Sequence, residues 1–212
     1  MLKKIVQRIV SHPWIYDHVQ RLLGLGATYE RLAAQAATVN PAALVLDLGG
    51  GTGLYRNVWS SDCIYLCLDV DVLKLQHFLR KNPDGSAILG DATCIPIKDN
   101  SIDVAVCIAV AHHLSNASLA ELVRESHRTL KATGTFLFVD AVWVPRRWSG
   151  RMLWRYDRGS YPRSAEYLRS VLSEQYHLVH SERYAVHHEY VLYRGVKHVK
   201  DCLLYTSDAA DE

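Results

Sequence analysis

Residues 44–55 read LVLDLGGGTGLY, an apolar run that ends on an acid and opens into four glycines within five residues. The run 43–48 (ALVLDL) suits a strand covered on both faces of a parallel sheet. A strand that opens through glycines towards a helix is a common cradle for a nucleotide cofactor, because the backbone can approach the ligand with no side chain between. A dinucleotide loop wants GxGxxG, whose third glycine lets the helix pack close to the strand. Counting from Gly49 gives Gly49, Gly51 and then Leu54 where that glycine belongs. A phosphate loop of the GxxxxGK[ST] kind needs a lysine that does not follow here. What remains is acid-x-Gly-x-Gly-x-Gly, from Asp47, Gly49, Gly51 and Gly53, with Gly50 inside it.

Working outward, further apolar runs lie at 63–70, 86–90, 102–110 and 134–140. Helical patterns separate them. Residues 72–81 carry Leu75, Phe78 and Leu79 on one face. Residues 115–134 carry Leu119, Leu122, Val123, Ser126 and Leu130 at helical spacing, with Gly134 as the expected helix stop. The tail 177–199 reads as two strands forming an antiparallel pair, and residues 1–38 as two or three helices broken at Pro13 and near 24–26. This order argues a doubly wound α/β fold.

The chain has 212 residues and is 49% hydrophobic, enough for one domain with a full core. It holds no apolar run of the roughly 18 residues a membrane span needs. Its basic N-terminus lacks a long apolar stretch and a small-residue cleavage site, so it does not read as a signal peptide. The five cysteines are scattered without a CxxC, as expected of reduced thiols in the cytoplasm. A net charge of +2 is too weak to argue for nucleic acid. The eleven histidines include the pairs 112–113 and 187–188. Adjacent residues do not converge on one ion and no HxxxH accompanies them, so no metal is expected.

VLDLGGGTG (45–53) resembles the first motif of class I S-adenosylmethionine-dependent methyltransferases. The small-molecule branch, with the methyltransferase type 11 and ubiquinone/menaquinone-biosynthesis enzymes, is the most similar. LCLDVD (66–71) supplies Asp69, with Asp71 as a near rival, where a ribose needs a carboxylate. GDATCIPI (90–97) supplies Asp91 and Ala92, where the family places an acid and a small residue near the adenine. IDVAVCIAVAHHL (102–114) resembles the fourth strand, and TLKATGTFLFVD (129–140) the following helix end and fifth strand. The resemblance covers residues 40–140. It implies a Rossmann-like, mostly parallel seven-stranded sheet with an antiparallel C-terminal strand. It implies S-adenosylmethionine as cofactor, held by Asp47, Gly49, Gly50, Gly51, Gly53, Asp69, Val70, Asp91, Ala92 and Cys107.

A sulfonium methyl is already activated, so alignment is the protein's main task and a base helps only where the nucleophile loses a proton. In such a fold the ligand lies outside the carboxyl ends of the strands. His112 and His113 follow strand four and Asp140 ends strand five, which makes them the acid–base candidates, with His113 favoured. Packing or capping is the competing reading for both histidines.

Residues 141–168 depart from the common core. Between Arg146 and Arg163 they hold six arginines and one acid, Asp157. Arg147, Arg151, Arg155 and Arg158 recur at helical spacing, with Trp148, Met152 and Tyr156 on an adjacent face. Three readings stand: a solvated basic face on a lid helix, a site for an anionic acceptor, and contact with an anionic membrane surface. Trp143, Arg147, Arg151, Trp154 and Arg158 are the candidate acceptor residues.

The organisation expected is an N-terminal helical segment (1–38), a methyltransferase domain (39–201) with a lid-like insertion at 141–163, and a tail at 202–212. The tail resembles a reading frame of a transposase adapter used in library preparation. The expected activity is methyl transfer to a small-molecule or lipid-like acceptor. A cofactor-binding module without turnover and a nicotinamide-dependent oxidoreductase are the alternatives.

Overall fold

The computed structural model describes residues 25–147, 150, 154 and 161–198. The expected helices before residue 25 and the tail at 202–212 lie outside the described residues. The elements run α1 (Leu25–Ala36), β1 (Leu44–Leu48), β2 (Ile64–Asp69), α2 (Val72–Lys81), β3 (Ser86–Leu89), β4 (Ile102–Ile108), α3 (Asn116–Thr129), β5 (Leu130–Val142), α4 (Ala165–Ser173), β6 (Tyr176–Ala185) and β7 (Glu189–Lys197).

The strands form one seven-stranded sheet in the order β3-β2-β1-β4-β5-β7-β6. Neighbours from β3 through β5 pair in parallel, while β7 lies antiparallel to both β5 and β6. The period of two along each strand sends alternate residues to opposite faces. Leu46, Leu48, Leu68, Phe136 and Phe138 meet Leu119 and Leu122 of α3 and Leu168 of α4 on one face. Val45, Tyr65, Val104, Val106 and Leu137 meet Leu32 of α1 and Leu75 and Phe78 of α2 on the other. Both faces are covered, which is why the strand sequences are apolar at successive positions.

Helix boundaries follow local chemistry. Asp71 caps α2 by accepting from the Leu73 and Lys74 amides, and Ser115 caps α3 by accepting from the Ser118 amide. Gly134 is not the stop of α3. The helix ends at Thr129, and Leu130, fully buried, already pairs with Ile102. The pairing then skips to Val104 with Thr135, so residues 131–134 bulge out of β5. A Cβ on Gly134 would meet the Lys131 carbonyl at 2.9 Å, so the glycine serves the bulge.

The chain leaves β1 in one direction across the sheet, towards β2 and β3, and returns through β4 in the other. The crevice outside the carboxyl ends of β1 and β4 is the topological switch point, where ligands bind in open α/β sheets. Among the described residues, no helix is long and apolar enough to cross a membrane.

Candidate functional site

The glycine turn sits at the carboxyl end of β1. The amides of Gly49 and Gly50 both donate to the Leu68 carbonyl of β2, at 2.7 and 3.1 Å. Gly49, Gly51 and Gly53 all take positive φ, at 71°, 58° and 70°. The glycines nevertheless have different duties. A Cβ on Gly49 would strike Val110 Cγ2 at 2.5 Å, one on Gly50 would strike the Asp47 carboxylate, and one on Gly53 would strike the Phe78 ring of α2. Those three let the protein pack on itself. A Cβ on Gly51 would have nothing closer than Lys74 Cδ at 3.4 Å and Asp69 Oδ2 at 3.6 Å. Gly51 therefore presents bare backbone to the space beside Asp69, a cradle that a side chain would fill. A carboxylate facing a glycine turn suits a ligand with hydroxyl donors better than one with phosphates, so these residues fit S-adenosylmethionine.

Asp69 ends β2 and is only 7% exposed. Its Oδ1 accepts from the Asp71 amide at 2.8 Å, which orients Oδ2 towards the turn. Asp71, the near rival, has its carboxylate committed to the α2 cap. Val70 is exposed beside them. Asp91 Oδ1 accepts from both the amide and the hydroxyl of Thr93, at 2.8 and 2.9 Å, so it shapes its own turn after β3. Ala92 is buried next to it. Cys107 differs from expectation: it is fully buried within β4, between Leu48 and Phe138 of the flanking strands, and has no surface to offer a ligand.

Asp47 lies under the turn, 3% exposed, with the Tyr65 hydroxyl donating to its Oδ2. Burial pushes its carboxyl up to about 7 from an ordinary 3.8; the Tyr65 bond opposes this and the Asp69 charge adds to it. The native chain thus holds a proton that the unfolded chain has already released. This group favours folding most below about pH 4, and that contribution is lost as pH rises through about 7. A span of about three pKa units corresponds to something on the order of 4 kcal/mol. Asp47→Asn keeps an acceptor for Tyr65 and is expected to flatten the fall in stability between about pH 4 and 7. Urea unfolding of both proteins across that range measures it; parallel curves would clear Asp47 of the effect.

Beyond β4 the chain passes through Ala109 at φ 56°, a left-handed conformation that costs a non-glycine residue roughly 1–3 kcal/mol. It then enters a short 3-10 turn, Ala111–His113. The turn brings His112 onto Asp140 of β5. His112 Nδ1 lies 2.5 Å from Asp140 Oδ1, and the His112 amide donates to Oδ2 at 3.1 Å. Oδ1 also accepts from the Ala141 amide at 2.7 Å. His112 is 8% exposed and Asp140 1%. A carboxylate only accepts, so Nδ1 carries the hydrogen of this bond, which leaves Nε2 as the ring atom where a neutral imidazole would have its lone pair. His113, favoured from sequence, is exposed; its ring centroid lies 4.1 Å from that of His112 and the carboxylate lies on His112.

An aromatic group adjoins this pair. Trp154 meets His112 edge-on at 5.7 Å, Trp143 at 6.5 Å and His188 at 5.2 Å between centroids. Arg147 points elsewhere. Its Nε and Nη2 donate to the His187 and Val186 carbonyls at 3.1 and 2.6 Å, so it braces the β6–β7 hairpin rather than facing an acceptor. Arg151 and Arg158 lie outside the described residues. Nothing in the sequence marks Arg163 as a site residue, because there it is one arginine among six. It is 7% exposed and grips the turn that carries His112.

Residues 46–138 match a family described as "Methyltransferase domain". Demethylmenaquinone methyltransferase from Renibacterium salmoninarum is 32% identical over 119 residues, which cover 51% of this chain and 48% of that protein. Ubiquinone/menaquinone biosynthesis C-methyltransferase UbiE from Paraburkholderia xenovorans is 30% identical over 182 residues, covering 73% of this chain and 72% of that protein. The chain spans about half the length, or less, of several of the curated relatives it matches. The crystal structure of YcgJ protein from Bacillus subtilis shares the fold, with a TM-score of 0.67 at 17% identity over 81% of this chain and 98% of that one.

Proposed function

The chain belongs to the class I S-adenosylmethionine-dependent methyltransferases, and from that premise we propose that it methylates a small, lipid-like acceptor of quinol or phenol type. The observation that carries this reading is the buried His112–Asp140 pair beside the glycine turn, which Val110 joins to Gly49. When bound, S-adenosylmethionine supplies a methyl group on a sulfonium, open to in-line displacement. Gly51 would lay its backbone against that cofactor, and Asp69 would accept from its ribose hydroxyls. Asp91 and Ala92 would flank its adenine.

His112 would take a proton from the acceptor on Nε2. Asp140 would hold Nδ1–H and stabilise the imidazolium that forms. Loss of a hydroxyl proton raises the electron density of both a phenolic oxygen and the ring carbons beside it, so either atom gains nucleophilicity. Two relatives carry quinone chemistry in their names, which supports an acceptor of that type. Trp143 and Trp154 would offer it flat apolar surface.

The expected result is S-adenosylhomocysteine binding by calorimetry. A gain of one methyl should then appear by mass spectrometry in a panel of demethylated quinols and phenols incubated with labelled cofactor. No binding would sink the proposal; binding without turnover across the panel would leave a cofactor-binding module.

A further inference from the structure

Arg163 stands where the insertion after β5 returns to the core. The Trp143 amide donates to the Arg163 carbonyl at 2.7 Å, so the two ends of the segment 143–163 are pinned together. From that neck the guanidinium reaches into the β4–α3 connection. Nη1 donates to the Ala111 carbonyl at 2.7 Å and Nη2 to the Leu114 carbonyl at 2.6 Å. Nε donates to Asn116 Oδ1 at 3.0 Å, and Nη1 also to the Tyr161 carbonyl at 3.3 Å. The Tyr161 amide closes the ring by donating to the His112 carbonyl at 3.1 Å.

None of these partners is a carboxylate. The charge is met by carbonyl and amide oxygens and by the rings of Tyr161 and Tyr167, 5.6 and 5.7 Å from the guanidinium carbon. Burying a cation among neutral groups is an expensive way to close a loop, since an apolar contact would do so without the desolvation cost. The planar fork does what an apolar side chain cannot. It fixes the carbonyls on both sides of His112 and His113 in one geometry.

We propose that Arg163 is a positioning residue: by clamping the Ala111 and Leu114 carbonyls it holds His112 against Asp140, so one side chain sets both the neck of the insertion and the acid–base pair. This rests on the reading of His112 as the base. The test is chosen to need neither cofactor nor acceptor, so that the two ideas fail separately.

The full chain, labelled uniformly with nitrogen-15, is followed by NMR. The Nδ1–H of His112, assigned by its loss in His112→Gln, is expected to be protected from solvent exchange. Hydrogen bonds donated by a charged group are stronger than neutral ones, and Arg163 donates one to each side of the histidine pair. Arg163→Ala should therefore speed exchange of that proton by about 10- to 100-fold, with the β1 amides of 44–48 unaffected. Arg163→Lys, which keeps the charge but not the fork, should fall between. Unchanged His112 exchange in both variants, or an equal rise at β1, would reduce Arg163 to a general structural role and overturn the proposal. Should the alanine variant not fold, the lysine variant decides, and a wild-type rate in it is the overturning result. Absence of cofactor binding by the wild-type protein would defeat the methyltransferase reading and leave the exchange result standing.

Discussion

Replacing His112 with glutamine is expected to lower turnover by about 10²- to 10⁴-fold while S-adenosylhomocysteine affinity stays within a few-fold of wild type. His112 belongs to the turn after β4 and touches Asp140, whereas the glycine turn and Asp69 belong to β1 and β2. If His112 is the proposed base, its removal raises the barrier to deprotonating the acceptor and leaves the glycine turn and Asp69 in place. Glutamine is preferred to alanine because it can still donate to Asp140, which is 1% exposed and would otherwise be a stranded buried charge. Asp140→Asn should produce a loss of the same kind, because an amide can present its N–H to Nδ1 and favour the tautomer with the hydrogen on Nε2. His113→Gln should cost far less, since its ring lies outside the carboxylate pair. The measurement is kcat and KM on the acceptor identified by the labelled panel, with calorimetry alongside. A His113 variant more damaged than the His112 variant would reverse the assignment.

The contrast between the two histidines shows where sequence reading stopped. The dipeptide places both at the end of β4, and the period of two would put them on opposite faces of a continuing strand. The chain does not continue as a strand. Ala109 at positive φ and the 3-10 turn re-aim it, and alanine gives no sign of a left-handed conformation. The parallel strands were legible because burial on both faces leaves unbroken apolar runs, and α2 because a helical stripe follows the capping Asp71. The end of α3 was not. Leu130 satisfies the helical stripe and the sheet equally well, and pairing with Ile102 wins. Arg163 was hidden for a different reason. Its partners are backbone carbonyls of a turn that only the fold brings near, and no residue type marks a carbonyl that will accept.

The glycine turn carries the second large effect, and there the four glycines should separate. Gly51→Val is expected to weaken S-adenosylhomocysteine binding by at least about 100-fold. A β-branched residue is strained at φ 58°, at a cost of roughly 1–3 kcal/mol, and its side chain would enter the space beside Asp69 Oδ2. Gly53→Ala should act first on the fold. It pairs a similar backbone strain with a collision against Phe78, which is fully buried between α2 and the sheet, so its melting temperature should fall further than that of Gly51→Ala. Asp69→Asn gives the complementary test. The amide keeps an oxygen for the Asp71 amide but turns the other atom from an acceptor into a donor. Two charge-assisted bonds to ribose hydroxyls would be lost, a drop of roughly 10- to 100-fold in affinity with little change in melting temperature. Calorimetry paired with thermal unfolding reads both quantities on each variant. If Gly51→Val bound as tightly as Gly51→Ala, the bare backbone at that position would not be the face that meets the cofactor, and the cradle would have to be sought on the other side of Asp69.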